Sequence, residues 1–159
     1  MNYAVFDRID TDLRPASGET AQDYMERLFS AACADSPGEG RINDLLRPRF
    51  VACDADARTL TVDYPPQDWT LNSKSTLHGG MMSTMLDMTM GLLGRYCKGV
   101  QDVTTVTLDV RFLRPAPAGR TVRVCAQAEK TGHRILFLRA GLSDAETGEQ
   151  FASAGATFL

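Results

Sequence analysis

The sequence predicts an α+β domain in which an antiparallel sheet wraps around one long central helix, with an extra helical segment in front. Three observations carry that expectation. Residues 78–94 hold apolar side chains on most sides of a helical period, with Met81, Met85, Met88 and Leu92 on one stripe and Met82, Leu86 and Leu93 on another; a helix apolar on most sides is a buried one. The chain beyond residue 102 reads as strands separated by short turns, and connections that short favour antiparallel neighbours. A sheet built from them has one face to cover, and this single apolar helix is there to cover it.

Taken in order, residues 1–19 show no clear period, and Thr20–Cys33 then brings Tyr24, Leu28 and Ala31 to helical spacing. Thr20 is a candidate cap, with Asp23 three residues on, and Ser36-Pro37-Gly38-Glu39-Gly40 reads as the stop. Phe50–Cys53 and the alternating Leu60, Val62 and Tyr64 flank a turn at residues 54–58, which makes a hairpin that Pro65-Pro66 ends. After the helix, four strands are expected as a meander: Val103–Leu113, Thr121–Glu129, Arg134–Leu142 and Gln150–Phe158. No repeat or low-complexity tract interrupts residues 49–159, so they read as one unit, and residues 1–48 as an N-terminal extension with a helix near 20–33.

Composition excludes several classes. At 159 residues the chain is the size of one domain, and 43% hydrophobic with 23% charged residues is ordinary globular usage. Seventeen basic against twenty acidic residues give a net charge of -3, which offers no field for nucleic acid. The first residues lack a basic start followed by a long apolar run, and the apolar stretch 81–94 is too short to span a bilayer. The expected setting is therefore cytoplasmic, with no membrane partner. Cys33, Cys53, Cys97 and Cys125 are widely spaced and His78 and His133 are the only histidines, so metal-ligand spacing is absent and no metal is expected. Reduced thiols are expected, and a Cys–His nucleophile meeting in space stays open at this stage.

Asp87 is the only charge between Met81 and Gly94. A carboxylate in apolar surroundings is costly unless paired, so its presence asks for a chemical reason, which we take to be catalysis as general base on water or as direct nucleophile. Ser83 and Thr84 lie one turn before it and are read as helix packing. His78-Gly79-Gly80 opens the helix, where glycines leave backbone N–H groups accessible and the helix dipole favours negative charge. Nine residues separate His78 from Asp87, about 2.5 turns and about 13.5 Å of rise, so one helix cannot bring both to one carbonyl.

Asn72, then Leu77-His78-Gly79-Gly80, then Asp87 after six further residues, together with the later Arg114-Pro115-Ala116 turn, resembles the hotdog-fold acyl-CoA thioesterases of the phenylacetate-pathway (PaaI-like) type over residues 49–159. Two departures are visible: Ser75 stands where the family usually carries Gly, and residues 1–48 exceed the minimal domain. The resemblance implies hydrolysis of a CoA thioester to a carboxylic acid and free CoA, with CoA as part of the substrate and no other cofactor. It implies the Gly79 N–H as oxyanion donor, Asn72 and His78 near the reacting carbonyl, and Thr105 as a hydroxyl orienting water beside the acid. Gly80, Lys130, His133 and Arg134 become candidate CoA-binding residues, the last three on one turn near the nucleotide end. Hotdog dimers share their sites, so Gly79 and Asn72 of one subunit are expected to work with Asp87 of a partner, in a dimer or dimer of dimers. A non-catalytic acyl-CoA-binding module and an enoyl-thioester hydratase or dehydratase are the alternatives, the latter without its usual motifs here.

Overall fold

Helix α1 (Ala21–Ala34) begins where Thr20 and Asp23 close a reciprocal cap, the Asp23 N–H reaching Thr20 Oγ1 at 3.1 Å and the threonine hydroxyl donating to Asp23 Oδ2 at 2.6 Å. The computed structural model describes residues 16–34, 40–99 and 103–159, so most of the expected Ser36–Gly40 stop lies outside the described residues. The buried face of α1 is rotated by one residue from the expected stripe. Tyr24, Met25 and Phe29 are buried while Leu28 and Ala31 are only half-buried, because the bulkier pair of side chains takes the core. Phe29 meets Phe50 in a tilted arrangement, with ring centroids 5.8 Å apart and planes at 60°. A five-residue helix, α2 (Ile42–Leu46), was not anticipated; it inserts Leu46 into the core and ends at Arg47 with φ 49°.

Among the described residues, six strands form one sheet: β1 (Arg49–Asp54), β2 (Thr59–Tyr64), β3 (Thr105–Phe112), β4 (Val122–Thr131), β5 (Leu136–Asp144) and β6 (Gln150–Phe158). Their order is β1-β2-β4-β5-β6-β3, every neighbouring pair antiparallel. The expected meander is thereby corrected: β3 does not pair with β4 but lies on the far edge beside β6. The connection through Pro115, Pro117 and Gly119 is no hairpin turn. The Leu77 N–H donates to Ala116 O at 2.9 Å and Thr76 bridges Pro117, which ties this loop to the segment before the central helix instead of to β3.

Helix α3 (Gly79–Lys98) packs across β2, β3, β4, β5 and β6. Alternation supplies the inner face, with Val122, Val124, Ala126 and Ala128 on β4 and Leu136, Leu138, Ala140 and Leu142 on β5, against Met82, Met85, Leu86, Met90 and Leu93 of α3. The helix runs past the expected end at Gly94. That glycine is a packing position, where a Cβ would meet Leu136 Cδ1 at 3.2 Å, and the left-handed cap is Gly99 at φ 61°. Tyr64 anchors the middle of α3: its buried hydroxyl lies 2.9 Å from Thr89 Oγ1 and 3.2 Å from Met85 O. Burial pushes this phenol well above its ordinary range.

Candidate active site

The loop before α3 is shaped by Asn72. Its Oδ1 accepts from the N–H groups of Lys74 (2.9 Å) and Thr76 (3.3 Å), its Nδ2 donates to Thr76 Oγ1 (2.9 Å), and Leu71 bridges Leu77. Asn72 is thus held within its own loop and makes no hydrogen bond to His78 or Asp87. Ser75 adopts φ 55°, the left-handed conformation that favours glycine, which gives a physical reason for the family's preference there.

His78 caps α3. Its ring Nδ1 accepts from the Gly80 N–H at 3.0 Å and its own N–H donates to Thr70 O at 2.9 Å. The Gly80 amide is therefore engaged, and the Gly79 N–H has no acceptor among the described residues. That difference singles out Gly79 as the open donor at the positive end of a 20-residue helix. Phe112, at the end of β3, sits against it: a Cβ on Gly79 would lie 3.2 Å from the ring's Cζ.

Asp87 is half-buried in α3, eight residues or about 12 Å of rise beyond Gly79. Thr105, the first residue of β3, donates its hydroxyl to Asp87 Oδ1 at 2.9 Å. The other carboxylate oxygen has no hydrogen-bond donor among the described residues. The two residues expected together are thus brought together, from a helix and a strand eighteen positions apart. Ser83 and Thr84 instead donate back to Gly79 O (3.1 Å) and Gly80 O (2.9 Å), the packing role expected of them.

Lys130, His133 and Arg134 are exposed around the β4–β5 connection. This connection meets the C-terminal end of α3, where Lys98 Nζ donates to Arg134 O at 2.9 Å, and Arg58 Nη1 donates to Thr131 Oγ1 at 3.1 Å. Lys98 and Arg58 extend the basic cluster, and sequence reading missed both because their proximity depends on how the helix end meets two turns. A cavity of about 560 Å³ also lies at this end, lined by Tyr24, Arg58, Tyr96, Cys97 and Thr131 among others, away from both Gly79 and Asp87. Burial raises the thiol pKa of Cys97 and of Cys53, which lowers the thiolate fraction and disfavours either as nucleophile.

A six-stranded antiparallel sheet packed on one long helix, with a second helix in front, is the hotdog architecture. Residues 74–150 match the family model of the Thioesterase superfamily. A Pseudomonas aeruginosa protein whose name reads "putative esterase" is 33% identical over 104 residues, 65% of this chain and 77% of its own length. Human acyl-coenzyme A thioesterase 13 is 32% identical over 85 residues, which are 51% of this chain and 58% of that protein. The crystal structure of a phenylacetic acid degradation-related protein from Ralstonia eutropha superposes with a TM-score of 0.70 at 30% identity, covering 82% of this chain and 98% of that one. The chain belongs to the thioesterase superfamily, and its enzyme class is thioester hydrolase.

Proposed function

We infer that this protein is an acyl-CoA thioesterase whose active site is completed by a second copy of the chain. The carrying observation is that α3 presents an amide without an acceptor at Gly79 and a carboxylate held by Thr105 at Asp87, too far apart along one helix to serve one carbonyl. The names of the curated relatives supply the substrate class, a CoA thioester.

In this reading the thioester oxygen lies on the Gly79 N–H of one subunit, where the helix dipole stabilises the oxyanion as it forms. Asp87 of the other subunit acts through Oδ2 on water or directly on the carbonyl carbon, with Thr105 fixing the carboxylate by its hydrogen bond to Oδ1. Water is consumed, the C–S bond breaks, and carboxylic acid and CoA thiol leave. The sheet supplies the pairing surface. β3 is an edge strand carrying Thr105, and Val106 beside it is more than half exposed, at 54%. Two β3 edges meeting about a twofold axis set the α3 helices antiparallel, so the start of one faces the middle of the other.

Lys98, Lys130, His133 and Arg134 would then receive the phosphates of CoA at the far end of the helix that bears Asp87. Lys98 lies eleven residues, about 16 Å of rise, beyond Asp87, a span suited to the pantetheine arm.

The test is thiol release from a panel of phenylacetyl-, benzoyl-, short- and medium-chain CoA esters, comparing wild type with Asp87→Asn. Turnover by wild type and a loss of roughly 10²- to 10⁴-fold in kcat for the variant are expected. Binding of the esters without turnover by wild type would instead mark a non-catalytic acyl-CoA module.

A further inference from the structure

Phe112 is an apolar ring more than half exposed at 54%, yet its tip is pressed onto Gly79, whose amide is open. The space where a Gly79 Cβ would stand has Phe112 Cζ at 3.2 Å, Cε1 at 3.4 Å and Cε2 at 3.7 Å. Resting on the proposed function, a thioester carbonyl whose oxygen accepts from the Gly79 N–H at about 2.9 Å carries the two substituents of its carbon into the same small volume. One substituent is sulfur leading into pantetheine, which bears polar amides; the other is the hydrocarbon α-carbon of the acyl group. An exposed aromatic ring, continued by the exposed Leu113, suits the hydrocarbon and leaves amides unsatisfied, so the acyl side faces Phe112.

We propose that Phe112 is the specificity-determining wall of the acyl subsite, which admits an unbranched CH₂ beside the thioester carbonyl and rejects an α-branched acyl group. With the ring already 3.2 Å from the Gly79 Cβ position, a methyl branch on the α-carbon must displace it. Rejection of one misplaced methyl is worth roughly 10- to 200-fold in kcat/KM.

The experiment compares butyryl-CoA with isobutyryl-CoA, which have the same atoms and differ only in branching, for wild type, Phe112→Leu and Phe112→Ala. Oligomeric mass and melting temperature are followed in parallel. The expected result is wild-type preference for butyryl-CoA, with the isobutyryl-to-butyryl ratio of kcat/KM rising at least about tenfold in Phe112→Ala and by an intermediate amount in Phe112→Leu. A ratio unchanged in both variants overturns the proposal while leaving the thioesterase reading intact. Loss of both activities together with dissociation in Phe112→Ala and Phe112→Leu also overturns it, by making the ring an interface residue. Absence of wild-type turnover on either ester, and on the wider panel, removes the thioesterase reading and this inference with it.

Discussion

Ser75 shows how a single residue can carry a local cost without disturbing the site it serves. It holds φ 55° with an exposed side chain, while its N–H donates to Asn72 O at 3.0 Å, a bond that any residue would make. The left-handed region costs a non-glycine residue roughly 1–2 kcal/mol, against about 0.4–1 kcal/mol of added unfolded-state freedom for glycine. Ser75→Gly should therefore raise the melting temperature by about 1–3 °C, measured by thermal denaturation; a decrease would show that Ser75 has a role beyond its backbone. At this scale Asp87 was legible because an isolated carboxylate interrupts an apolar helix, and Thr105 only through family resemblance, since nothing in strand alternation distinguishes it from Thr107. In the sequence Phe112 only shares one strand face with Val106, Leu108 and Val110. Its contact with Gly79 depends on β3 lying beside the start of α3, which no local pattern encodes.

Among the elements, the helices and strands were visible where periodicity is strong, as in α3, the β1–β2 hairpin and β6. Local signals misled where a glycine or proline serves packing: Gly94 resembles a helix end but makes room for Leu136, and the Pro115–Gly119 loop resembles a hairpin but leads β3 and β4 to opposite parts of the sheet. The β5–β6 turn is tied by Asp144, 3% exposed, which accepts from Arg120 Nε at 2.6 Å and from the N–H groups of Glu146 and Thr147, both at 2.9 Å. These donors hold its carboxyl far below the usual range, Arg120 first. Glu19, bonded to Arg27 at the front of α1, is likewise lowered to about 2. Both are more acidic folded than unfolded, so their stabilisation is complete above the unfolded values near about 4 and is lost as pH falls through the folded ones. Thermal melts should be level above about pH 5 and decline steeply between about pH 4 and 2, with a smaller decline in Asp144→Asn, which is also less stable at neutral pH. A decline of equal size in that variant would exclude Asp144 as a contributor. The β4–β5 connection carries a functional prediction of its own: Arg134→Ala should raise KM for a CoA ester more than for a short thioester lacking the nucleotide, and equal effects would remove that turn from the CoA site.

For the whole molecule, the fold was legible as one helix against one sheet, but the order of strands and the position of the open edge were not, because pairing between β3 and β6 joins segments far apart in sequence. That edge makes a two-subunit site geometrically reasonable. The most direct test mixes two chains, each disabled at a different end of α3. Gly79→Pro deletes the one N–H proposed as oxyanion donor at a first helical position whose backbone accepts proline, after a His78 already extended at φ -63° and ψ 135°, and also crowds the Phe112 ring, 3.2 Å from the new Cβ; Asp87→Asn removes the carboxylate. Each variant alone should be nearly inactive in thiol release. Co-expressed or co-refolded in equal amounts, they should regain about a quarter of wild-type activity, since about half of the dimers are mixed and each mixed dimer rebuilds one of its two sites. A mixture that forms heterodimers yet remains as inactive as its parents would contradict a site shared between subunits.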